Sequence, residues 1–227
     1  MIFLCGDIHG KLDVGKVIRY FDGIECDVTK DDLLIILGDC GAVWDEGTED
    51  KELTSILRRL PCSVAYLDGN HENFEALNSY PETKWNGGMV HMVDGEHIVH
   101  LIRGNVYEIQ GKKFFVFGGG YSFDKKDRTP GISWWAEELP SEEEYENGWR
   151  ALEREDFCVD YILAHTAPRE VVAEMNYELD NAEMPLRNYL QRIVDNTEFE
   201  AFYFGHFHED VNIEDMFFGL WENIVEL

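Results

Sequence analysis

An α/β fold with a mixed β-sheet flanked by helices is what this sequence predicts, and three observations carry that expectation. Five short apolar runs each lead into carboxylate, amide or imidazole side chains, often through a glycine, which is the form of buried parallel strands. Helical spacing of apolar residues follows the first two runs, giving strand, loop, helix units. From Met89 the pattern shifts to short, partly alternating runs separated by glycine turns, which reads as antiparallel strands.

Taken in order, the first strand is Ile2-Phe3-Leu4-Cys5, ending in Gly6-Asp7-Ile8-His9-Gly10. Residues 11–21 carry Leu12, Val14, Val17, Ile18 and Phe21 at mostly helical spacing, so this helix is expected to lay that face on the sheet. The second unit is a strand over 33–37, a loop over 38–47 and a helix over 49–60 that Pro61 ends. The third is a strand over 64–67, then Asp68-Gly69-Asn70-His71-Glu72 and a short helix over 73–77. Runs at 89–93, 97–101, 106–109 and 113–117 predict antiparallel strands added to the middle of the sheet, with Gln110-Gly111-Lys112 a tight turn.

Residues 118–133 form a long loop opening on three glycines, and loops of that length are often functional. Ser141 with Glu144 predicts a capping box on a helix reaching about residue 155, its first turn acidic as the helix dipole favours. A strand over 161–164 leads into His165, a helix covers about 185–195, and a strand over 202–204 leads into Gly205-His206-Phe207-His208. Final strands fall near 211–213 and 216–221, and residues 1–227 are expected to form one domain.

Composition narrows the function. With Lys+Arg 19 against Asp+Glu 46, the formal charge is -27, and duplex nucleic acid, whose affinity comes from phosphate neutralisation by lysine and arginine, is disfavoured as a partner. Most of the acidity is expected to be solvated surface. Cys5, Cys26, Cys40, Cys62 and Cys158 show no C-x-x-C pair, and Cys5, Cys62 and Cys158 lie at or beside apolar runs, so buried reduced thiols are expected. No apolar run approaches the ~18 residues that span a bilayer, and the first residues lack a leader pattern. The expectation is a cytoplasmic protein with no membrane partner.

Functional groups of such sheets collect beyond the carboxyl ends of the strands. If the five strands lie side by side, Asp7, Asp39, Asn70, His165, His206 and His208 share one edge with His9 and His71, enough donors for two divalent ions. Mixed histidine, aspartate and asparagine donors suit Mn, Fe, Zn or Ni. Paired ions ~3.5–4 Å apart suit phosphoester hydrolysis, because a bridging hydroxide attacks phosphorus while both cations neutralise developing charge. Singly, Asp7 and Asp39 also suit helix caps, and His91, His97 and His100, in the antiparallel strands, read as satisfied core residues.

Gly6-Asp7-Ile8-His9-Gly10, Gly38-Asp39, Gly69-Asn70-His71-Glu72, His165 and Gly205-His206-Phe207-His208 resemble, in order, the five motifs of the calcineurin-like metallophosphoesterase superfamily. The resemblance implies a four-layer α/β/β/α sandwich. It implies Asp7, His9 and His208 on a first metal, Asn70, His165 and His206 on a second, and Asp39 bridging. Two divalent ions, Mn foremost, are implied as cofactors. His71 is implied to be no ligand but to lie over the substrate with Asn70, stabilising the phosphoryl oxygens or protonating the leaving group.

The motif wording is similar to the serine/threonine protein phosphatase branch, but where that branch carries an aspartate and an arginine after the bridging carboxylate, this chain has Ala42 and Val43. Phosphoprotein hydrolysis is thereby put in doubt, and another cation is needed for phosphate. Lys125, Lys126 and Arg128 form the densest basic cluster, so Arg128 or a neighbouring lysine, with Tyr121 beside it, is expected either to reach phosphate or to pair with Asp124 and Asp127 at the surface. Trp44, Trp134 and Trp135 offer nucleobase stacking or loop anchoring. The expected function is hydrolysis of phosphomonoesters, with small phosphate esters, nucleotides or phosphoproteins as substrates. The alternatives are a phosphodiesterase or nucleotide pyrophosphatase, and a non-catalytic metal- or partner-binding scaffold.

Overall fold

The computed structural model describes residues 1–45, 47–95, 97–178 and 180–227, so one residue of the predicted 38–47 loop, Glu46, lies outside the described residues. Among these, two mixed sheets stack face to face and helices cover both outer faces. The first sheet runs β13 (Ile224–Glu226), β1 (Ile2–Cys5), β2 (Leu33–Ile36), β3 (Ser63–Leu67), β6 (Ile98–Leu101), β5 (Gly88–Asp94) and β4 (Glu82–Trp85). The second runs β11 (Val211–Ile213), β12 (Phe217–Gly219), β10 (Ala201–Phe204), β9 (Tyr161–Ala164), β8 (Lys112–Phe117) and β7 (Asn105–Ile109).

The five motif strands therefore do not lie side by side. β1, β2 and β3 are parallel neighbours in one sheet, while β9 and β10 are parallel neighbours in the other. The middle strands are likewise divided: β5 and β6 extend the first sheet, with β6 parallel to β3, and the β7–β8 hairpin starts the second, with β8 parallel to β9. Strand type is legible in an apolar run, but sheet membership depends on partners distant in sequence. The hairpin turn is as expected, Gln110 and Gly111 both holding positive φ (50° and 80°), the requirement of a two-residue turn matched to strand twist.

Side-chain alternation explains the layers. Ile2, Leu4, Ile35, Ala65, Leu67 and Val99 point from the first sheet into the interior and meet Tyr107, Phe114, Val116 and Leu163 from the second. The opposite faces, Phe3, Cys5, Leu34, Ile36 and Tyr66, pack under α1 (Val14–Gly23) and α2 (Thr48–Arg59). Phe115, Phe117, Ile162, Phe202 and Phe204 pack under α4 (Glu142–Arg154), α5 (Arg169–Glu174) and α6 (Met184–Asn196). The short α3 (Phe74–Leu77) is capped by Asn73, and α4 carries the Ser141–Glu144 capping box.

Several expectations are corrected. Residues 11–13 precede α1, so Leu12 is 85% exposed and Ile18 sits at the helix margin. His91 and His100 are buried, but His97 is exposed in the turn before β6. Cys5, Cys40 and Cys62 are buried, whereas Cys26 and Cys158 are exposed, Cys158 because its strand begins three residues later. The edge strands β4 and β13 and the helix α5 carried no apolar periodicity strong enough to foresee.

Candidate metal centre

The carboxyl ends of β1, β2 and β3 meet those of β9 and β10 across the mouth of the sandwich, and that junction gathers the motif side chains. Asp7 and His9 follow β1, Asp39 follows β2, Asn70 and His71 follow β3, His165 follows β9, and His206 and His208 follow β10. The turns there are so tight that His9, Asp39, His206 and His208 all hold left-handed backbones, φ 44°, 49°, 70° and 51°. Such conformations are uncommon for residues with a Cβ and concentrate at functional sites. Glycines make the approach possible: a Cβ on Gly69 would lie 2.1 Å from Asp39 Oδ1, and one on Gly205 would lie 2.2 Å from Asp7 Oδ1.

Two fully buried carboxylates anchor the centre. The Asp39 carboxylate accepts from the His71 backbone N–H at 2.7 Å, with His9 Nε2 3.5 Å from Oδ2 and His165 Nε2 3.6 Å from Oδ1. Asp7 accepts from the His206 backbone N–H at 3.0 Å and lies 3.2 Å from His208 Nε2. Burial opposes ionisation of both, yet the surrounding imidazoles, His165 foremost, hold both below the ordinary carboxylate range. Asp39 in turn drives His9 up to about 9 against its burial. Donor atoms of Asp7, His9 and His208 cluster within 4.8 Å, as do those of Asp7, Asp39 and His165, and of His9, Asp39 and His71.

Among the described residues the ion pairs of Asp7 and Asp39 are all to histidines, with no lysine or arginine. Two buried carboxylates ringed by imidazoles constitute a cation site by their chemistry, since buried charge must be paired or coordinated. The residues present thus fit a pair of divalent ions.

The imidazoles are oriented from behind. His9 Nδ1 faces Asp13 Oδ2 at 3.0 Å, leaving Nε2 toward Asp39. His165 Nδ1 donates to the Leu37 carbonyl at 2.8 Å, which turns Nε2 toward Asp39 and toward Asn70 Oδ1, 3.0 Å away. Asn70 Nδ2 donates to Ser122 Oγ, itself hydrogen-bonded to buried Glu138. His208 stacks on Trp221 with ring centroids 4.2 Å apart. His206 packs 4.9 Å from His165 but belongs to none of the three donor clusters; its Nε2 is buried without a hydrogen-bond partner, 3.5 Å from Glu183 Oε1.

Over the centre stands His71, its Nε2 3.3 Å from Arg128 Nη2. Arg128 donates Nε to Asp124 at 2.6 Å and Nη1 to the Ser133 carbonyl at 3.0 Å, so the expected pairing with Asp124 is present. Burial, and then the positive charge of Arg128, lowers the His71 pKa. Lys125 instead lies over Trp134, 3.9 Å from its ring centroid, and Trp44 meets Trp135 edge to face, so these tryptophans anchor loops. A cavity of about 680 Å³ opens beside His71 and Arg128, walled by Leu12, Trp44 and Leu53 among others.

Asp13, Glu183 and Trp221 were not foreseen. Asp13 had a weak signal, four residues after His9; Glu183 and Trp221 had none, their roles arising from tertiary proximity. No curated protein matches this chain. A crystal structure of phosphopantetheinyl hydrolase from Mycobacterium tuberculosis is similar at 15% identity, with a TM-score of 0.47 and coverage of 97% of this chain and 89% of that one. The family model described as calcineurin-like phosphoesterase matches residues 1–210, and the chain therefore belongs to the calcineurin-like phosphoesterases.

Proposed function

We propose that this metallophosphoesterase is a cytoplasmic phosphomonoesterase, one domain over residues 1–227, that hydrolyses small phosphate esters with two Mn ions. Asp7, His9 and His208 would hold the first ion, Asn70, His165 and His206 the second, and Asp39 would be shared by both. When bound, the ions supply Lewis acidity toward the phosphoryl oxygens and make hydroxide available at neutral pH. Asn70, His71 and Arg128 bind the phosphoryl group. Arg128, braced by Asp124 and the Ser133 carbonyl, offers the guanidinium that Ala42 and Val43 lack. His71 sits where it can stabilise a phosphoryl oxygen or give a proton to the leaving oxygen.

The observation that carries this reading is the pair of buried carboxylates, Asp7 and Asp39, ringed by histidines directly beneath the His71–Arg128 contact. With Mn supplied, turnover of p-nitrophenyl phosphate exceeding that of its bis ester supports the monoesterase. The reverse order favours a phosphodiesterase or nucleotide pyrophosphatase, a reading supported by the cavity beside Trp44, which has room for a second ester substituent. No turnover by metal-loaded protein across a broad phosphate-ester panel would favour the scaffold.

A further inference from the structure

Glu183 lies at the foot of α6, fully buried, and no sequence motif includes it. Its Oε1 accepts from the Tyr121 backbone N–H at 3.2 Å and stands 3.5 Å from His206 Nε2, while Oε2 pairs with buried Arg187. Arg187 in turn lies over the ring of Phe207, the residue between His206 and His208. A buried carboxylate is costly unless it is paired and its remaining lone pairs accept hydrogen bonds; Arg187 pairs Oε2, and Oε1 has a lone pair beyond the one the Tyr121 N–H uses. Here the group within reach is, among the described residues, the one imidazole nitrogen of the centre that is buried without a hydrogen bond.

We propose that Glu183 is a positioning residue for the second metal site: it takes the Nε2 proton of His206 in a hydrogen bond, fixes that tautomer, and so leaves Nδ1 as the lone-pair nitrogen for the ion. Metal-ligating histidines generally donate their other ring N–H to a carboxylate or carbonyl, and loss of that partner weakens metal affinity ~10–100-fold. The same division of labour is present at His9, backed by Asp13, and at His165, backed by the Leu37 carbonyl. Arg187 holds Glu183 in place and keeps its oxygens from rotating away. Through the Tyr121 N–H, Glu183 also ties the 118–133 loop, and with it Arg128, to the second metal site.

The inference rests on the two-ion reading above, and its test separates the two. In ¹⁵N-labelled wild-type protein, long-range ¹⁵N–¹H correlation of the His206 ring is expected to show the proton on Nε2. Manganese titration is expected to give two ions per chain in the wild type. In Glu183→Asp, which keeps the charge beside Arg187 but withdraws the oxygen from His206, one of the two is expected to weaken ~10–100-fold while the other holds its affinity. Glu183→Gln, which retains an oxygen acceptor, is expected to weaken it less. A proton on Nδ1 in the wild type, or wild-type affinity for both ions in Glu183→Asp, would overturn the proposal. A wild type that binds fewer than two ions fails the two-ion reading instead, and the ring tautomer still decides the role of Glu183.

Discussion

At the scale of single residues, the proposed chemistry divides between Asp39 and Arg128. In the proposed centre Asp39 joins the two halves, and Arg128, on the 118–133 loop, is the cation proposed for phosphate in place of one on the turn after the second strand. Removing a preorganised charged donor from a developing oxyanion costs ~10²–10³ in rate. Arg128→Ala is therefore expected to lower kcat/KM for a phosphate ester about 10²-fold with metal stoichiometry unchanged, and Arg128→Lys to restore only part of it, since an ammonium lacks the planar fork. Unaltered kinetics in Arg128→Ala would leave that side chain as a surface partner of Asp124. The motif residues were legible because glycine, aspartate and histidine recur after apolar runs. Glu183 and Trp221 were not, since nothing local marks a side chain that acts through a neighbour brought near by folding.

At the scale of elements, the strand tips set the site and their glycines set the strand tips. Gly205→Ala would drive a methyl into the Asp7 carboxylate, so manganese binding is expected to fall while the far-UV circular dichroism stays native. Unchanged affinity there would show that the tip relaxes. The paired strands β5 and β6 make a separate prediction. His91 and His100 face each other with Nδ1 atoms 3.1 Å apart, and burial, with His100 beside it, lowers His91 to about 4. Below the unfolded value of ~6.5 the unfolded chain binds a proton that the folded chain refuses, so stability falls as pH drops from ~6.5 toward ~4. Chemical denaturation across that range should show the loss in the wild type and a shallower slope in His91→Gln. Identical slopes would remove His91 from the account. The strong apolar runs and the Ser141–Glu144 box were legible as elements, whereas β4 and β13 were not: edge strands of mixed polarity bury one face at most, so their sequences carry little period.

At the scale of the whole molecule, a formal charge of -27 works against the compact state by self-repulsion, and two of the carboxylates that make it up, Asp7 and Asp39, are locked in the centre. Raising ionic strength to ~0.15 M, where the screening length is ~8 Å, is expected to raise the melting temperature of chelator-treated protein. Manganese should raise it further, because ions that bind only the folded state stabilise it. The sandwich was legible as layered α/β, but the split of five motif strands between two sheets was not, because an apolar run specifies burial on two faces without naming its neighbours. That split has a functional result: the first sheet brings the carboxylates of Asp7 and Asp39 and the second brings the imidazoles of His165, His206 and His208, so the centre forms only when the halves pack. Calorimetric titration of manganese into wild type and Asp39→Asn tests this most directly. Two ions per wild-type chain, and loss of the pair in Asp39→Asn, is the predicted result; two ions held with wild-type affinity by Asp39→Asn would contradict a centre built on that shared carboxylate.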